Sequence, residues 1–271
     1  MHRLATAPPP APIRASPAVR AVLALIALAA IALLVGGIVF WALTCIVALL
    51  MMAEWSDLFA VPPRSKRLSQ FALVVPLAIM CPWAAGPNFF ALGLLIGTAF
   101  FTVIVTQRPP LMIGTIYCGL PVLSLVLIRQ QHDGIVYAFW AMALVWVTDI
   151  GAYFSGRSIG GAKLAPAISP NKTWAGLAGG IVLAALFGIV MHYVYGLALR
   201  LTLASPFLAV VAQAGDLYES WLKRRAGVKD SGNILPGHGG VLDRLDGLVP
   251  VAPVAAALVV VVPKLYPLLG W

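Results

Sequence analysis

The sequence contains little charge for its length. Of its 271 residues, 10% are Asp, Glu, Lys or Arg, whereas 61% are hydrophobic and the mean hydropathy is +0.96. Soluble domains are about half apolar and roughly a quarter charged. A water-soluble core of this size does not need so much apolar surface, so lipid must be the solvent for much of the chain. The sequence therefore predicts an all-α fold, a polytopic membrane helix bundle.

Motifs that would indicate several other classes of protein are absent. Cys45, Cys81 and Cys118 lie in separate apolar runs, with no CxxC pair and no nearby histidine cluster, which argues against a structural zinc site or a disulfide framework. The sequence has no Walker A motif, no GxGxxG and no GxSxG, so P-loop, dinucleotide-fold and serine-hydrolase functions lose support. The remaining guide to function is the distribution of the polar residues.

The excess of basic residues gives a formal net charge of +9, but it does not indicate nucleic acid binding. The basic side chains do not cluster into one patch interleaved with exposed aromatic residues. They lie between long apolar runs, as they do in the cytoplasmic loops of membrane proteins. We therefore expect membrane lipid, and no nucleic acid, as a partner.

Nine apolar runs are long enough to be membrane spans, which need about 20 residues each. The predicted spans are 19–35, 37–53, 70–86, 88–106, 111–128, 134–152, 174–195, 201–215 and 248–263. The first two form one apolar stretch that only Gly36-Gly37 interrupts. If residues 19–53 form two helices, all but three of the 18 Lys and Arg residues lie on the same side of the membrane. The positive-inside rule therefore favours nine spans with the N-terminus in the cytoplasm.

The chain is predicted to hold one membrane domain. Residues 1–18 are rich in Pro and Ala and are expected to form a disordered cytoplasmic tail, and residues 19–271 a single integral membrane catalytic domain. Gly176 and Gly180 have the GxxxG spacing of close helix packing. Packing within one bundle is the favoured interpretation, and the face of a homodimer is the alternative.

The polar residues concentrate in one predicted cytoplasmic stretch, 216–246, which contains five of the nine acidic residues. If the beginning of the stretch is helical, Asp216, Glu219, Ser220 and Lys223 share one face. A turn rich in glycine follows, and glycine lets the backbone approach a ligand closely. Carboxylates and basic residues around such a turn suit phosphoryl chemistry, because Mg²⁺ prefers a few carboxylates and cations neutralise charge on phosphates.

This stretch resembles the signature of the phosphatidate cytidylyltransferases, also called CDP-diacylglycerol synthases. The matching residues run from Ser220 to Asp246 as S-x-L-K-R-x4-K-D-x-G-x2-L-P-x-H-G-G-V-x-D-R-L-D. Residues 149–157 (DIGAYFSGR) and 169–174 (SPNKTW) are similar to two further segments of the family. The family would have Glu or Gln after Trp174, where this chain has Ala175, so a role for that side chain is in doubt.

The resemblance implies the reaction of CTP with phosphatidic acid to give CDP-diacylglycerol and pyrophosphate, a step of phospholipid biosynthesis, on the cytoplasmic side of a bacterial-type inner membrane. It implies Mg²⁺ as the cofactor, with Asp216 and Asp243 as metal ligands and Asp246 close by. Whether a second, monovalent cation joins the Mg²⁺ is left open. The candidate catalytic residues are Asp216, Asp243, Asp246, Lys172, Lys223 and Arg244. The candidate binding residues are Ser220, Arg224, Lys229, Asp230, His238, Gly239, Gly240, Asp149 and Ser169.

Some single residues have competing interpretations. Asp149, at the cytoplasmic end of a span, is predicted to be functional because an ionisable group at membrane depth is costly. Lys172, in a predicted Ser-Pro-Asn-Lys-Thr turn, is expected to contact phosphate. His238 is interpreted as a hydrogen-bond donor more readily than as a general acid. Glu54 and Asp57 are assigned structural roles at a helix end, and substituting either is expected to change the rate only a few-fold.

Three other functions compete with cytidylyl transfer. A CTP-dependent lipid kinase of the polyprenol type could use the same loop, but it would need a base near the accepting hydroxyl. The D-G-x2-A-R pattern of the CDP-alcohol phosphotransferases is absent. A transporter would usually show repeated halves with interrupted helices, and no repeat is visible.

Overall fold

The computed structural model describes residues 17–232 and 239–265, and most of these residues are helical. The helices are α1 (Pro17–Val35), α2 (Gly37–Leu58), α3 (Pro63–Ile79), α4 (Phe89–Thr106), α5 (Pro109–Arg129), α6 (Gly134–Ile159), α7 (Trp174–Tyr195), α8 (Leu199–Arg225), α9 (Leu242–Leu245) and α10 (Leu248–Ala256). A π-helical turn (Ala257–Val261) and a short helix α11 (Val262–Leu265) continue α10. Two strands, β1 (Lys163–Ala165) and β2 (Ser169–Thr173), lie between α6 and α7.

Six of the described helices are long and apolar enough to cross a membrane, namely α2, α4, α5, α6, α7 and α8. The apolar segments Ala24–Val35 and Leu248–Val261 are shorter. The prediction of an all-α, polytopic membrane protein is therefore confirmed, whereas the count of nine spans stays a prediction. Residues 1–16 of the predicted tail lie outside the described residues.

The break that the sequence predicts at Gly36-Gly37 is a turn between α1 and α2. Both glycines have positive φ angles, 68° and 49°, which other residues rarely adopt. The Nε of Arg129 donates a hydrogen bond to the carbonyl oxygen of Leu33 at 2.8 Å, so the arginine satisfies a carbonyl that the end of α1 leaves free. A side chain on Gly36 would collide with this guanidinium, because its Cβ would lie 2.5 Å from Nη2.

Helices α6 and α7 pack closely through glycines. A Cβ on Gly151 of α6 would lie 2.8 Å from the carbonyl oxygen of Gly179, and one on Gly180 of α7 would lie 2.9 Å from that of Thr148. Small residues allow such close approach of two backbones in a membrane. The GxxxG pair Gly176 and Gly180 thus contacts a neighbouring helix of the same chain, which is the interpretation that the sequence favoured.

The centre of the bundle is filled by large apolar side chains, and the outer surface is apolar as well. Trp55 and Trp140 are fully buried, and their indole N–H groups donate to the carbonyl oxygen of Pro110 at 2.8 Å and to the hydroxyl of Ser205 at 3.0 Å. On the outside, Phe100, Ile104, Leu203 and Phe207 are among many exposed apolar side chains. A surface of this kind matches lipid rather than water.

Strands β1 and β2 form a small antiparallel hairpin in which Lys163 pairs with Thr173 and Ala165 with Ser169. The sequence predicted a turn at residues 169–173, and the structure has a strand there instead. The hydroxyl of Thr173 accepts a hydrogen bond from the backbone N–H of Gly176 at 3.0 Å and so caps the beginning of α7. The hairpin therefore places Lys172 just before the beginning of α7.

Candidate active site

Helix α8 provides one polar face of the site. The helix continues to Arg225, ten residues beyond the predicted span, so the stretch from Asp216 to Lys223 is helical as the sequence predicted. Asp216, Ser220 and Lys223 lie at spacings that place them on one side of a helix. The hydroxyl of Ser220 donates to Oδ1 of Asp216 at 3.3 Å.

A first network joins α8 to α6 and to the hairpin. Lys172 of β2 forms an ion pair with Asp216 and donates a hydrogen bond to Oε1 of Gln213 at 3.1 Å. The amide nitrogen of Gln213 donates in turn to Oδ1 of Asp149 at 3.1 Å. Residues from three separate segments of the chain thus meet, and the predicted candidates Asp149, Lys172 and Asp216 are brought together. Asp149 lies inside α6 rather than at the end of a helix, because α6 runs on to Ile159.

These residues line a cavity of about 640 Å³ between α6, β2, α7 and α8. Its polar lining includes Asp149, Arg157, Asn171, Lys172 and Asp216, and its remaining wall contains glycines and apolar side chains. Ligand cavities are typically about 300–1,000 Å³ with a few convergent polar groups. The cavity is therefore large enough for a nucleotide, and its lining contains cations that can bind phosphate.

A second network surrounds Asp243 of α9. Its Oδ1 accepts a hydrogen bond from Nζ of Lys223 at 2.6 Å. Its Oδ2 accepts from the backbone N–H groups of Gly240 at 2.7 Å and Ser231 at 2.9 Å, and from the hydroxyl of Ser231 at 3.1 Å. Lys223 also lies 2.7 Å from Oε2 of Glu219. The predicted candidates Lys223, Gly240 and Asp243 thus belong to one cluster.

The two carboxylates of the loop segment have opposite electrostatic environments. Burial alone would raise the pKa of Asp243, but the hydrogen bonds from Lys223, Gly240 and Ser231 outweigh it and hold this pKa below its usual range. Burial raises the pKa of Asp246, and the negative charges of Asp216 and Glu219 raise it further. Asp246 therefore lies close to the negative charges of Asp216 and Glu219.

These neighbouring carboxylates suit a bound cation. Within residues 17–232 and 239–265, no three His, Cys, Asp or Glu side chains are arranged as a ready-made metal site. Mg²⁺ does not need one, since it commonly takes one or two carboxylates and completes its shell with water and substrate phosphate. The side chain of Glu219 is 1% exposed, and its Oε1 has no hydrogen-bond partner in the described part of the chain. Crowded carboxylates and an unpaired buried oxygen fit a divalent cation near Asp216 and Asp246.

The remaining predicted residues lie around these networks. The guanidinium of Arg224 donates to the carbonyl oxygens of Ile168 in the hairpin turn, at 3.4 Å, and of Val228, at 3.5 Å. Lys229 and Asp230 are exposed, and so is Arg244 on α9. Gly239 has a φ angle of 78°, which favours glycine, and Ser169 begins β2. His238 lies outside the described residues.

No site role is predicted from the sequence for Gln213, Glu219 or Glu54. Gln213 precedes Asp216 by three residues, and this helical spacing was a usable signal for the first network. Glu219 was placed on the polar face of α8 but was not selected. Glu54 was taken for a residue at a helix end, whereas it is 2% exposed and contacts the loop before α9. The expectation that substituting Glu54 changes the rate only a few-fold stays a prediction, although residues from a distant part of the chain donate hydrogen bonds to its carboxylate.

The chain is similar to known proteins along most of its length. The sequence profile of the cytidylyltransferase family matches residues 17–262. The phosphatidate cytidylyltransferase of Brucella suis is 40% identical over 226 residues, which are 80% of this chain and 83% of that protein. That of Bacillus subtilis is 48% identical over 145 residues (52% and 54%), and that of Rickettsia felis is 34% identical over 201 residues (69% and 88%).

Proposed function

The chain belongs to the cytidylyltransferase family, and from this premise we propose that it transfers the cytidylyl group of CTP to phosphatidic acid. The products are CDP-diacylglycerol, a precursor in phospholipid biosynthesis, and pyrophosphate. The observation that carries the proposal is the pairing of two lysines with two carboxylates along one polar face of α8. Lys172 and Asp216 form a pair that lines the cavity, and Lys223 pairs with Asp243 about two helical turns further along α8.

The chemistry asks the protein for positioning and charge neutralisation more than for a strong base. The phosphate monoester of phosphatidic acid has a second pKa of about 6, by analogy with other phosphate monoesters, so it is largely dianionic near neutral pH. One of its oxygens attacks the α-phosphorus of CTP, and the bond from that phosphorus to the oxygen bridging to the β-phosphorus breaks. Pyrophosphate leaves with that oxygen.

Two lysines supply positive charge where the two polyanions must meet. The side chains of Lys172 and Lys223 are 17% and 13% exposed, so their charges are only partly screened by water. Each contacts two side-chain acceptors, Asp216 and Gln213 for Lys172 and Asp243 and Glu219 for Lys223, so the third N–H group of each ammonium can bind phosphate. Held in this way, the ammonium groups stabilise the charge that develops on the leaving pyrophosphate.

Asp216 and Asp246, with Glu219 nearby, are the residues that would hold Mg²⁺. When bound, the metal neutralises phosphate charge and brings the phosphates of the two substrates together. Burial raises the pKa of Asp246, and the negative charges of Asp216 and Glu219 raise it further, so a bound cation would stabilise its charged form. Asp243 was also predicted as a metal ligand, and that role stays a prediction. In the structure its oxygens accept four hydrogen bonds, so we propose that it fixes Lys223 and the loop at Gly240.

We further propose that residues 19–271 form one catalytic domain in the bacterial inner membrane, with the site at the cytoplasmic side. The distribution of Lys and Arg supports this orientation, since the site lies among the basic loops. CTP then reaches the cavity from the cytoplasm, and phosphatidic acid from the adjoining lipid leaflet.

Purified protein in detergent–lipid micelles tests the proposal. Incubated with CTP and Mg²⁺, it should release pyrophosphate only when phosphatidic acid is added, and CDP-diacylglycerol should appear in equal amount. Diacylglycerol in place of phosphatidic acid is the control, because it lacks the attacking phosphate. Release of pyrophosphate without lipid, or phosphorylation of an alcohol lipid by CTP, would contradict the proposal.

A further inference from the structure

Glu54 is a buried acidic residue on α2, far in sequence from the loop it contacts. Its side chain is 2% exposed, although burying a carboxylate is costly unless its oxygens are hydrogen-bonded. Nothing in its own helix requires an acid at this position. The partners of the carboxylate therefore explain why it is there.

In the described part of the chain, these partners are Ser231 and the residues that begin α9, the helix that carries Asp243. Oε1 of Glu54 accepts a hydrogen bond from the backbone N–H of Val241 at 2.9 Å, and Oε2 accepts one from the backbone N–H of Leu242 at 2.8 Å. The hydroxyl of Ser231 also lies 3.2 Å from Oε2. Charge-assisted hydrogen bonds of this kind are roughly twice as strong as neutral ones.

Gly232 and Gly240, which are adjacent in sequence to these partners, lie close to the carboxylate of Glu54. A Cβ on Gly232 would lie 2.7 Å from Oε1 of Glu54, and one on Gly240 would lie 2.6 Å from Oε2. Real Cβ atoms do not approach an oxygen so closely. Because neither residue has a side chain, the backbone at both positions can approach the carboxylate oxygens of Glu54.

The carboxylate is linked to Asp243 through one hydroxyl group. Ser231 Oγ lies between Oε2 of Glu54, at 3.2 Å, and Oδ2 of Asp243, at 3.1 Å. A hydroxyl has one hydrogen to donate, so the two carboxylates share this donor. We propose that Glu54 is a positioning residue, which fixes the backbone at Val241 and Leu242 and thereby sets the position of Asp243 and its partner Lys223. The inference rests on the proposed function, since it gives Glu54 a role in that reaction.

Glu54→Gln is the sharpest variant, because it keeps the shape of the side chain and removes one acceptor. The amide nitrogen cannot accept from Val241 or Leu242, so one of these N–H groups loses its partner. Asp57→Asn is the matched control: it makes the same chemical change three residues away, where the carboxylate is exposed and pairs with Lys66. A displacement of about 1 Å in a catalytic group can cost a factor on the order of 100 in rate.

We expect Glu54→Gln to lower kcat by roughly 10- to 100-fold and to leave KM for CTP within about threefold, because Glu54 contacts no residue that lines the cavity directly. Hydrogen exchange at the amides of Val241 and Leu242 should become at least about tenfold faster. Asp57→Asn should change neither quantity. A merely structural role would reduce the yield of folded protein without changing kcat per folded molecule.

Ser231→Ala is the second variant, for the case that Glu54→Gln does not fold. It removes the shared hydroxyl and keeps every backbone hydrogen bond, so kcat should fall about three- to tenfold, which is less than in Glu54→Gln because the backbone at Val241 and Leu242 stays fixed. Wild-type exchange rates at Val241 and Leu242 together with a kcat within twofold of wild type in Glu54→Gln would overturn the inference. So would wild-type kcat in Ser231→Ala if that variant alone folds. Exchange is measured without substrate, so an inactive wild-type protein would refute the proposed function and leave this test of the contact intact.

Discussion

Replacing Lys223 by methionine removes the ammonium group that separates two buried carboxylates. Its Nζ lies 2.7 Å from Oε2 of Glu219 and 2.6 Å from Oδ1 of Asp243, and these acidic side chains are 1% and 7% exposed. Methionine keeps most of the length of the side chain and none of its charge. The variant therefore leaves two negative charges side by side in a place that water hardly reaches.

The cost follows from the burial of the cluster. Removing one partner of a buried ion pair typically destabilises a protein by about 3–5 kcal/mol. Uptake of a proton by one of the carboxylates limits this cost, so we expect about 3 kcal/mol near pH 8. For a chain of this size, about 1 kcal/mol corresponds to roughly 2–4 °C, so the melting midpoint should fall by about 6–12 °C.

The effect should depend on pH in a defined direction. In the wild type the pKa of Asp243 is lowered, so its contribution to stability is present above the ordinary pKa of an aspartate and is lost as the pH falls through the lowered value. Lys223→Met removes that contribution. The difference in melting midpoint between wild type and variant should thus be similar from pH 8 to pH 5 and should shrink only below about pH 4, as the pH falls through the lowered pKa of Asp243.

Thermal melts of detergent-purified protein, followed by tryptophan fluorescence at pH 8 and at about pH 3, measure both effects. Lys66→Met is the control, since Lys66 pairs with Asp57, which is 59% exposed, and exposed pairs contribute little. A midpoint for Lys223→Met within about 2 °C of wild type at pH 8, or a difference that grows as the pH falls, would refute the cluster as described.

Three further predictions concern the active site, the packing and the topology. Asp216→Asn should lower kcat by two or more orders of magnitude, on the order of 3 kcal/mol of transition-state stabilisation, and normal turnover of folded variant in the pyrophosphate assay would contradict this. Gly180→Leu should abolish folded, monodisperse protein in size-exclusion chromatography, because its Cβ alone would lie 2.9 Å from a backbone oxygen of α6. In a background without native cysteines, Ser158→Cys should resist an impermeant thiol reagent in intact cells and His132→Cys should react; the reverse pattern would invert the topology.

The helices could be predicted from the sequence because lipid imposes a simple rule. Each predicted span overlaps a described helix, and the Gly36-Gly37 turn falls where the apolar run is interrupted. The positions at which the helices end were less predictable. Helices α6 and α8 continue past the apolar residues to Ile159 and Arg225, since a helix can leave the membrane without a break and its polar residues do not stop it.

The contents of the site were predictable by residue type, and its connections were not. The polar stretch 216–246 contained Asp216, Lys223 and Asp243, but sequence spacing says nothing about pairs such as Lys172 with Asp216, which only packing of the hairpin against α8 brings together. The contact of Glu54 with α9 was not predicted for the same reason. Its partners are backbone N–H groups of residues 241 and 242, and a backbone donor leaves no mark in a sequence.

The central claim is that the α-phosphorus of CTP is the atom transferred to the lipid. It is tested most directly by incubating the purified protein and phosphatidic acid with CTP labelled with ³²P at either the α or the γ position. Label from the α position should enter the lipid fraction as CDP-diacylglycerol, and label from the γ position should appear only in pyrophosphate. Entry of γ label into lipid would mean phosphoryl transfer, and would contradict the account.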